Sequence, residues 1–251
     1  CKQIHLQMFS SAGAGYPLDM ALNSVDDQYD CWKEMFLNEL NLDYQEGEKN
    51  AKKPEDNLKN IHSVSIYMYT NNNSDVYRNF NNAYSLHFLL TDATKILKKT
   101  QNKCYLTYRG TPVEFDNDVL NKEIRLGSFT SSSLNRKVAQ HFGTRSCFEI
   151  ETCEGADVIK YSKYPEQKEV LIPPYETFKV SAVKKRADQK DPWCDIVYIL
   201  KKTGGKSYLN CPHLPKANVV FLEVKHVQVP QQWQWFGSWR TFSPPHPESW
   251  S

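Results

Sequence analysis

Residues 104–111 read Cys-Tyr-Leu-Thr-Tyr-Arg-Gly-Thr and mark the point at which the chain changes character. The run combines aromatic and β-branched residues with a late glycine, which is typical of a strand that opens into a turn. From here onward, short apolar runs are separated by turns that contain glycine or proline. The runs predict strands at Cys104–Tyr108, Glu123–Phe129, Cys147–Thr152, Glu169–Ile172, Thr177–Val183, Ile196–Lys201 and Val219–Val229.

Upstream of residue 104 the pattern is mainly helical. Apolar residues at helical spacing predict one helix from Asp26 to about Leu42 and another from about Ala83 to Lys99. The charged residues 45–60 are interpreted as a loop or an exposed helix. The alternation from His62 to Tyr69 fits either a strand or the start of a helix. A short helix is also predicted at Ser133–His141, where Ser133 is a candidate N-cap.

The order of these elements, helices first and strands later, predicts an α+β fold and not the alternating order of a doubly wound sheet. We expect a single domain over residues 21–229, with a helical part at 21–100 and a β core at 101–229. Residues 1–20 lack periodicity and are interpreted as a flexible leader. Residues 230–251 form a tail rich in tryptophan and proline.

Composition excludes several classes of function. The 31 basic and 29 acidic residues give a formal charge of +2, which argues against a dedicated nucleic-acid partner. The sequence contains no run of about 18 apolar residues, so no transmembrane segment is predicted. The cysteine spacings match no zinc signature, so no metal site is expected. The glycine-rich loops that usually cradle nucleotides are missing, so a nucleotide would have to bind in another way.

Seven cysteines are many for a cytosolic chain of 251 residues and favour disulfides formed in an oxidising compartment. A glycosylation sequon at Asn72-Asn73-Ser74 agrees with this interpretation. We therefore expect a secreted protein or one on the extracellular cell surface. The tail has no apolar stretch typical of a GPI-anchor signal, which leaves the mode of anchoring open.

Three short segments are candidate functional motifs. They are Tyr108-Arg109-Gly110-Thr111, Gly127-Ser128-Phe129-Thr130-Ser131-Ser132-Ser133-Leu134 and Glu169-Val170-Leu171-Ile172-Pro173-Pro174-Tyr175-Glu176. Taken singly, an arginine at a strand end, a serine run and a glutamate before an apolar strand are ordinary surface or turn features.

Taken together and in this order, with Asp26-Asp27-Gln28-Tyr29 before them, they resemble the Arg–Ser–Glu class of mono-ADP-ribosyltransferases, in particular the vertebrate ecto-enzymes. The resemblance covers roughly residues 20–225. It implies a β-sandwich-like, NAD-binding core of the ADP-ribosyltransferase type, against which the helical part packs. It also implies NAD as a substrate, no permanently bound cofactor and a protein acceptor.

The resemblance implies a role for each motif residue. Arg109, Ser131 and Glu169 would be catalytic. Arg109 would hold a phosphate or ribose of NAD, and the backbone of Gly110 would bind the nicotinamide amide. Ser131 would orient the catalytic carboxylate, and Ser133 would contribute to NAD binding. Glu169 would bind the ribose 2′-hydroxyl and stabilise an oxocarbenium-like transition state.

The same resemblance implies disulfides between Cys31 and Cys211 and between Cys104 and Cys153. Because Cys147 and Cys194 both lie in the β core, we expect a third bridge between them, although sequence does not fix connectivity.

One position departs from the family pattern. Arginine-specific members carry Glu-x-Glu, and here the first glutamate is Gln167. In an extended segment Gln167 and Glu169 would share a face, and a glutamine cannot neutralise or deprotonate a guanidinium. Glu166 would reach that place only from a loop, and Tyr164 is a candidate for acceptor recognition.

Three functions therefore stand open. The first is an ADP-ribosyltransferase with arginine as the acceptor. The second is mainly an NAD glycohydrolase, with water as the acceptor. The third is a catalytically inactive binding module.

Overall fold

The computed structural model describes residues 18–21, 45–71 and 83–207. The predicted helix at Asp26–Leu42, the predicted strand at Val219–Val229 and the tail lie outside these residues. So do the sequon at Asn72 and both cysteines of the expected Cys31–Cys211 pair. The statements below concern the described residues.

Within residues 45–71 and 83–207, three helices precede the strands: α1 (Gln45–Asn50), α2 (Asn60–Thr70) and α3 (Ala83–Gln101). The ambiguous segment at residues 62–69 is helical, because α2 is buried from His62 to Thr70 and presents no solvent-facing stripe. Its two serines both donate to backbone carbonyls: Ser65 Oγ to Ile61 within the helix at 2.7 Å, and Ser63 Oγ to Lys52 before it at 2.5 Å. The predicted face of α3 is buried. None of its four apolar residues is more than 2% exposed: Leu86, Leu90, Ala93 and Leu97.

Eight strands follow between residues 105 and 205. They are β1 (Tyr105–Thr111), β2 (Glu123–Arg125), β3 (Thr130–Ser133), β4 (Ser146–Thr152), β5 (Ala156–Asp157), β6 (Glu169–Ile172), β7 (Glu176–Lys185) and β8 (Ile196–Gly205). A short helix α4 (Arg136–Gln140) lies between β3 and β4.

Several predicted boundaries are wrong. Strand β1 runs through Gly110 to Thr111 and β8 runs to Gly205, past the predicted ends at Tyr108 and Lys201. The strand predicted at Glu123–Phe129 ends at Arg125, because Gly127 takes a φ of +77° and turns the chain between β2 and β3. The helix predicted at Ser133–His141 begins at Arg136, because Ser133 belongs to β3. Its N-cap is Asn135, whose side-chain oxygen accepts a hydrogen bond from the backbone of Lys137 at 3.0 Å.

The strands form one mixed sheet in the order β2-β7-β8-β4-β1-β3-β6-β5. β1 pairs with β4 along its whole length, from Tyr105 to Thr111, but its register with β3 is the single pair Tyr108 and Ser133. The sheet therefore has two halves that meet at a narrow β1–β3 junction.

Each half has its own apolar core. Helices α2 and α3 pack on the half formed by β3, β6 and β5, with residues such as Leu89, Phe129 and Leu171. The other half buries Phe148, Phe178 and Tyr198 among its members. The helical part thus packs on one half of the β core. The β1–β3 junction lies between the two apolar clusters.

Two disulfides reinforce the β core. Cys104 is bonded to Cys153, with Cα atoms 4.1 Å apart, and Cys147 is bonded to Cys194, with Cα atoms 6.0 Å apart. The first joins the residue before β1 to the residue after β4. The second joins β4 to the residue two positions before β8, its parallel neighbour. Among the described helices, none is long and apolar enough to cross a membrane.

Candidate active site

Three residues from the sequence motifs converge at the β1–β3 junction. Arg109 comes from β1, Ser131 from β3 and Glu169 from the first position of β6. Their side chains are almost fully buried, with exposures of 4%, 1% and 2%. Three polar residues from separate strands are therefore gathered in one enclosed place, which makes it a candidate functional site.

Arg109 spans the junction. Its Nη1 donates to the carbonyl oxygen of Ser131 at 2.7 Å. Burial lowers the pKa of Arg109 to about 10, against the opposing influence of Tyr69 and Glu169. The guanidinium therefore keeps its positive charge at neutral pH and offers a fixed cationic donor inside the site.

Glu169 is the acidic member of the site. Burial raises the pKa of its carboxyl to about 7, although the hydroxyl of Ser131, the charge of Arg109 and the hydroxyl of Ser162 act in the opposite direction. Its Oε1 atom has no hydrogen-bond partner among the residues that the structure describes. A buried oxygen without a partner is costly, so this atom fits a ligand that brings a hydroxyl donor.

Two residues in this environment escaped the sequence analysis. Tyr69, from the last turn of α2, accepts a hydrogen bond from Ser131 Oγ at 3.3 Å. Ser162, which is 2% exposed, lies in the loop after β5 and is one of the hydroxyls that stabilise the charged form of Glu169. Neither belongs to a motif, and only long-range packing brings them to the site.

The space beside Gly110 is filled by protein backbone. A Cβ atom at this position would collide with the carbonyl oxygens of Ala139 and Gly143. Gly143 is itself confined, because its own Cβ would meet the backbone of Thr111 and Pro112. Packing of α4 and the turn after it against β1 thus requires a glycine here, whatever its backbone binds.

Ser133 lies at the end of β3, opposite Glu169 in the register. Its Oγ donates to the carbonyl of Gln167 at 2.7 Å and accepts from the backbone of Asn135 at 3.0 Å. Ser133 therefore fixes the segment that leads into Glu169.

That leading segment is a turn. Pro165–Gln167 forms one turn of 3₁₀ helix, and Lys168 takes a φ of +49° before β6 begins. The expectation that Gln167 and Glu169 share a face of an extended segment is therefore wrong, because the left-handed residue between them breaks the alternation. Tyr164 and Gln167 are half-buried, whereas Glu166 is exposed.

No group of three or more potential ligands that could hold a metal ion occurs within the described residues. The chemistry that the site offers is that of a buried carboxylate, a fixed guanidinium and the hydroxyls of Ser131, Ser162 and Tyr69. Such a set suits the stabilisation of positive charge developing on a bound substrate.

Several known proteins are similar to this chain in sequence or in fold. The model of the NAD:arginine ADP-ribosyltransferase family matches residues 34–193. NAD(P)(+)–arginine ADP-ribosyltransferase 2 of Gallus gallus is 42% identical over 105 residues, which are 42% of this chain and 34% of the relative. Ecto-ADP-ribosyltransferase 5 of Rattus norvegicus is 31% identical over 175 residues, covering 61% of this chain and 55% of the relative. The chain thus spans between a third and little more than half of these two relatives.

A longer match is found with the GPI-linked NAD(P)(+)–arginine ADP-ribosyltransferase 1 of Oryctolagus cuniculus. The two are 33% identical over 249 residues, which cover 79% of this chain and 74% of the relative. Among solved structures, the eucaryotic mono-ADP-ribosyltransferase ART2.2, as a variant in complex with NADH, superposes with a TM-score of 0.59 and 26% identity. That comparison covers 79% of this chain and all of the other. By its match to the family model and to these relatives, the chain belongs to the NAD:arginine ADP-ribosyltransferase family.

Proposed function

We propose that this protein cleaves NAD at the bond between nicotinamide and ribose and transfers the ADP-ribose to a protein side chain, arginine being the acceptor. The observation that carries the proposal is the buried Glu169 carboxylate, whose Oε1 has no partner among the described residues. It lies beside a buried guanidinium and a buried hydroxyl, those of Arg109 and Ser131. The names of the relatives, which print arginine and NAD(P), support the same substrates.

The proposed roles follow from the environment of each residue. Arg109 offers fixed N–H donors and a positive charge to a phosphate or a ribose hydroxyl. The backbone of Gly110 binds the nicotinamide amide, and Ser131 orients the Glu169 carboxylate. Ser133 lies at the edge of the NAD site, where it holds the turn that carries Gln167.

Bond cleavage leaves the electron pair of the C1′–N bond on nicotinamide, which is cationic in NAD and departs neutral. Positive charge then develops on the ribose. The ionised Glu169 carboxylate stabilises that charge, and its Oε1 accepts a hydrogen bond from the ribose 2′-hydroxyl. A guanidinium nitrogen of the acceptor attacks C1′ and loses a proton to solvent. Because the carboxylate must be ionised, we expect NAD cleavage to reach half of its maximum at a pH of about 7, the pKa of Glu169, and to level off only above it.

Hydrolysis of NAD is the second candidate, and Gln167 is the observation that favours it. A glutamine cannot accept a proton from a guanidinium. Glu166, the residue before Gln167, has a carboxylate but is exposed on the 3₁₀ turn. With water as the attacking group, the same intermediate yields free ADP-ribose. Tyr164 and Gln167 are proposed to face the acceptor, since both are half-buried near Glu169.

We infer that the protein acts outside the cell, either secreted or attached to the surface. The two disulfides in the described part of the chain favour an oxidising compartment. The words "ecto" and "GPI-linked" in the names of two relatives support the same location.

The test is nicotinamide release from NAD by the purified protein, with and without the arginine analogue agmatine. Glu169→Gln should abolish release, whereas Glu176→Gln, which changes another buried carboxylate, should keep it. ADP-ribosyl-agmatine as the product supports the arginine transferase, and free ADP-ribose alone supports the hydrolase. No release by the unmodified protein would reject both and leave the inactive binding module.

A further inference from the structure

The hydroxyl of Ser131 has a neighbour that the proposed mechanism does not use. Its Oγ donates to the phenol oxygen of Tyr69 at 3.3 Å. That phenol gives its own proton to the carbonyl oxygen of Phe129 at 3.1 Å, so towards Ser131 it is an acceptor. Burial and the nearby Glu169 raise the pKa of Tyr69 above its usual value, so the phenol stays neutral at physiological pH.

Tyr69 is held in place by its surroundings. Its side chain is 6% exposed, and its ring packs edge-on against Phe129, with centroids 6.4 Å apart. The next residue, Thr70, accepts a hydrogen bond from the backbone of Lys163 at 3.0 Å. The end of α2 is thereby tied to the loop that leads to Tyr164. The phenol oxygen is therefore a fixed acceptor, set before any substrate binds.

A serine hydroxyl has one proton and donates it to one acceptor at a time. At Ser131 two acceptors compete for it, the phenol of Tyr69 and the carboxylate of Glu169. We propose that Tyr69 is a positioning residue, which holds the proton of Ser131 and so withholds a hydrogen bond from the Glu169 carboxylate in the unliganded protein. This inference rests on the proposed function, because it concerns the same carboxylate.

Four groups face the Glu169 carboxylate from the elements packed around it. They are Arg109 on β1, Ser131 on β3, Ser162 in the loop after β5 and Tyr69 on α2. A hydrogen bond to the charged form lowers the pKa of a carboxyl group. Retention of the Ser131 proton by Tyr69 therefore helps to keep the pKa of Glu169 near neutrality, and it leaves the carboxylate open to a substrate hydroxyl.

Tyr69→Phe tests the proposal, because it removes the phenol oxygen and keeps the ring that packs on Phe129. Ser131 then has only Glu169 to donate to, so the pKa of Glu169 should fall by roughly half to one pH unit. The first measurement is a carbon-13 NMR titration of the full chain labelled at glutamate carboxyls, with the Glu169 resonance assigned from its loss in Glu169→Gln. The second is the pH profile of NAD cleavage, whose acidic limb should move by the same amount.

Two further variants make the test specific. Tyr198→Phe removes another fully buried phenol that donates to a backbone carbonyl, that of Phe115 at 2.9 Å, and should leave the Glu169 titration unchanged. In a protein that already carries Ser131→Ala, Tyr69→Phe should no longer shift the pKa of Glu169, because the effect passes through Ser131. An unchanged or raised pKa in Tyr69→Phe would overturn the proposal, as would a shift that persists without Ser131. If the unmodified protein cleaves no NAD, the proposed function fails, while the NMR titration still decides the role of Tyr69.

Discussion

Nη1 of Arg109 lies 2.7 Å from the carbonyl oxygen of Ser131 and joins two strands whose register is a single residue pair. The arginine therefore has two tasks. It satisfies a buried carbonyl where the two halves of the sheet meet, and it holds positive charge beside Glu169. Activity and stability should therefore both decrease on substitution of Arg109, even by a residue of the same charge.

We expect Arg109→Lys to reduce kcat/KM for NAD cleavage by about 100-fold, because a lysine lacks the planar fork that can serve the Ser131 carbonyl and a ligand together. We also expect a loss of roughly 1–3 kcal/mol in unfolding free energy from the weakened hydrogen bond. Arg145→Lys is the matched control, since Arg145 is 47% exposed in its surface ion pairs with Glu114 and Asp195. Enzyme kinetics and denaturant unfolding measure both effects, and equal losses in the two variants would contradict the prediction.

Gly110→Ala should destabilise the protein and not merely weaken NAD binding. The added Cβ meets the carbonyl oxygens of Ala139 and Gly143, both of which are backbone atoms that cannot rotate away. Separation of α4 from β1 should cost about 3 kcal/mol or more.

Gly205→Ala is the comparison for Gly110→Ala, because its Cβ would find its nearest atoms at 3.6 Å, an ordinary contact with Tyr175. Thermal melting of the two variants distinguishes the explanations. A melting temperature of Gly110→Ala close to that of the unmodified protein, with lost activity, would show that the glycine is needed for the ligand alone.

The contrast between motif and packing explains how much could be predicted from the sequence. Arg109, Ser131 and Glu169 each lie in a short motif, and their order along the chain is enough to identify them. The buried face of α3 is equally predictable, because its apolar residues recur every three or four positions.

Other features depend on atoms distant in sequence. Tyr69 reaches the site from a helix that is buried on all sides, and such a helix has no diagnostic periodicity. The left-handed φ of Lys168 cannot be foreseen either, since a lysine gives no signal for it. The expected alternation of Gln167 and Glu169 failed for this reason.

Gln167→Glu tests whether this position selects the acceptor. The change places a carboxylate on the 3₁₀ turn, two residues from Glu169, where it can pair with an incoming guanidinium. We expect the ratio of ADP-ribosyl-agmatine to free ADP-ribose to rise by about tenfold, the equivalent of 1.4 kcal/mol, with little change in total nicotinamide release. Glu166→Gln, on the same turn but exposed, should leave the ratio unchanged. A ratio that responds to Glu166 instead would transfer acceptor recognition to that residue.

Glu176 predicts a pH dependence of stability away from the active site. Its carboxylate accepts hydrogen bonds from the backbone of Cys153 at 2.7 Å and of Glu154 at 3.0 Å, and from the hydroxyl of Thr152. Burial nevertheless dominates these hydrogen bonds and raises the pKa of Glu176 to about 7, from an ordinary value of 4.5. The native state therefore binds more protons than the unfolded state between these two values, and the stability that protonated Glu176 contributes is lost as the pH rises through about 7.

Glu176→Gln imitates the protonated carboxyl and removes this dependence. At pH 5 the variant and the unmodified protein should differ little in unfolding free energy, whereas at pH 8 the variant should be the more stable by up to roughly 3 kcal/mol. Denaturant unfolding at the two pH values measures the difference. Glu151→Gln, at a carboxylate that is 40% exposed and paired with Lys201, should show no such change between pH 5 and pH 8. If the stability difference between Glu176→Gln and the unmodified protein is the same at both pH values, Glu176 is ionised throughout, and its three hydrogen bonds outweigh the cost of burying its charge.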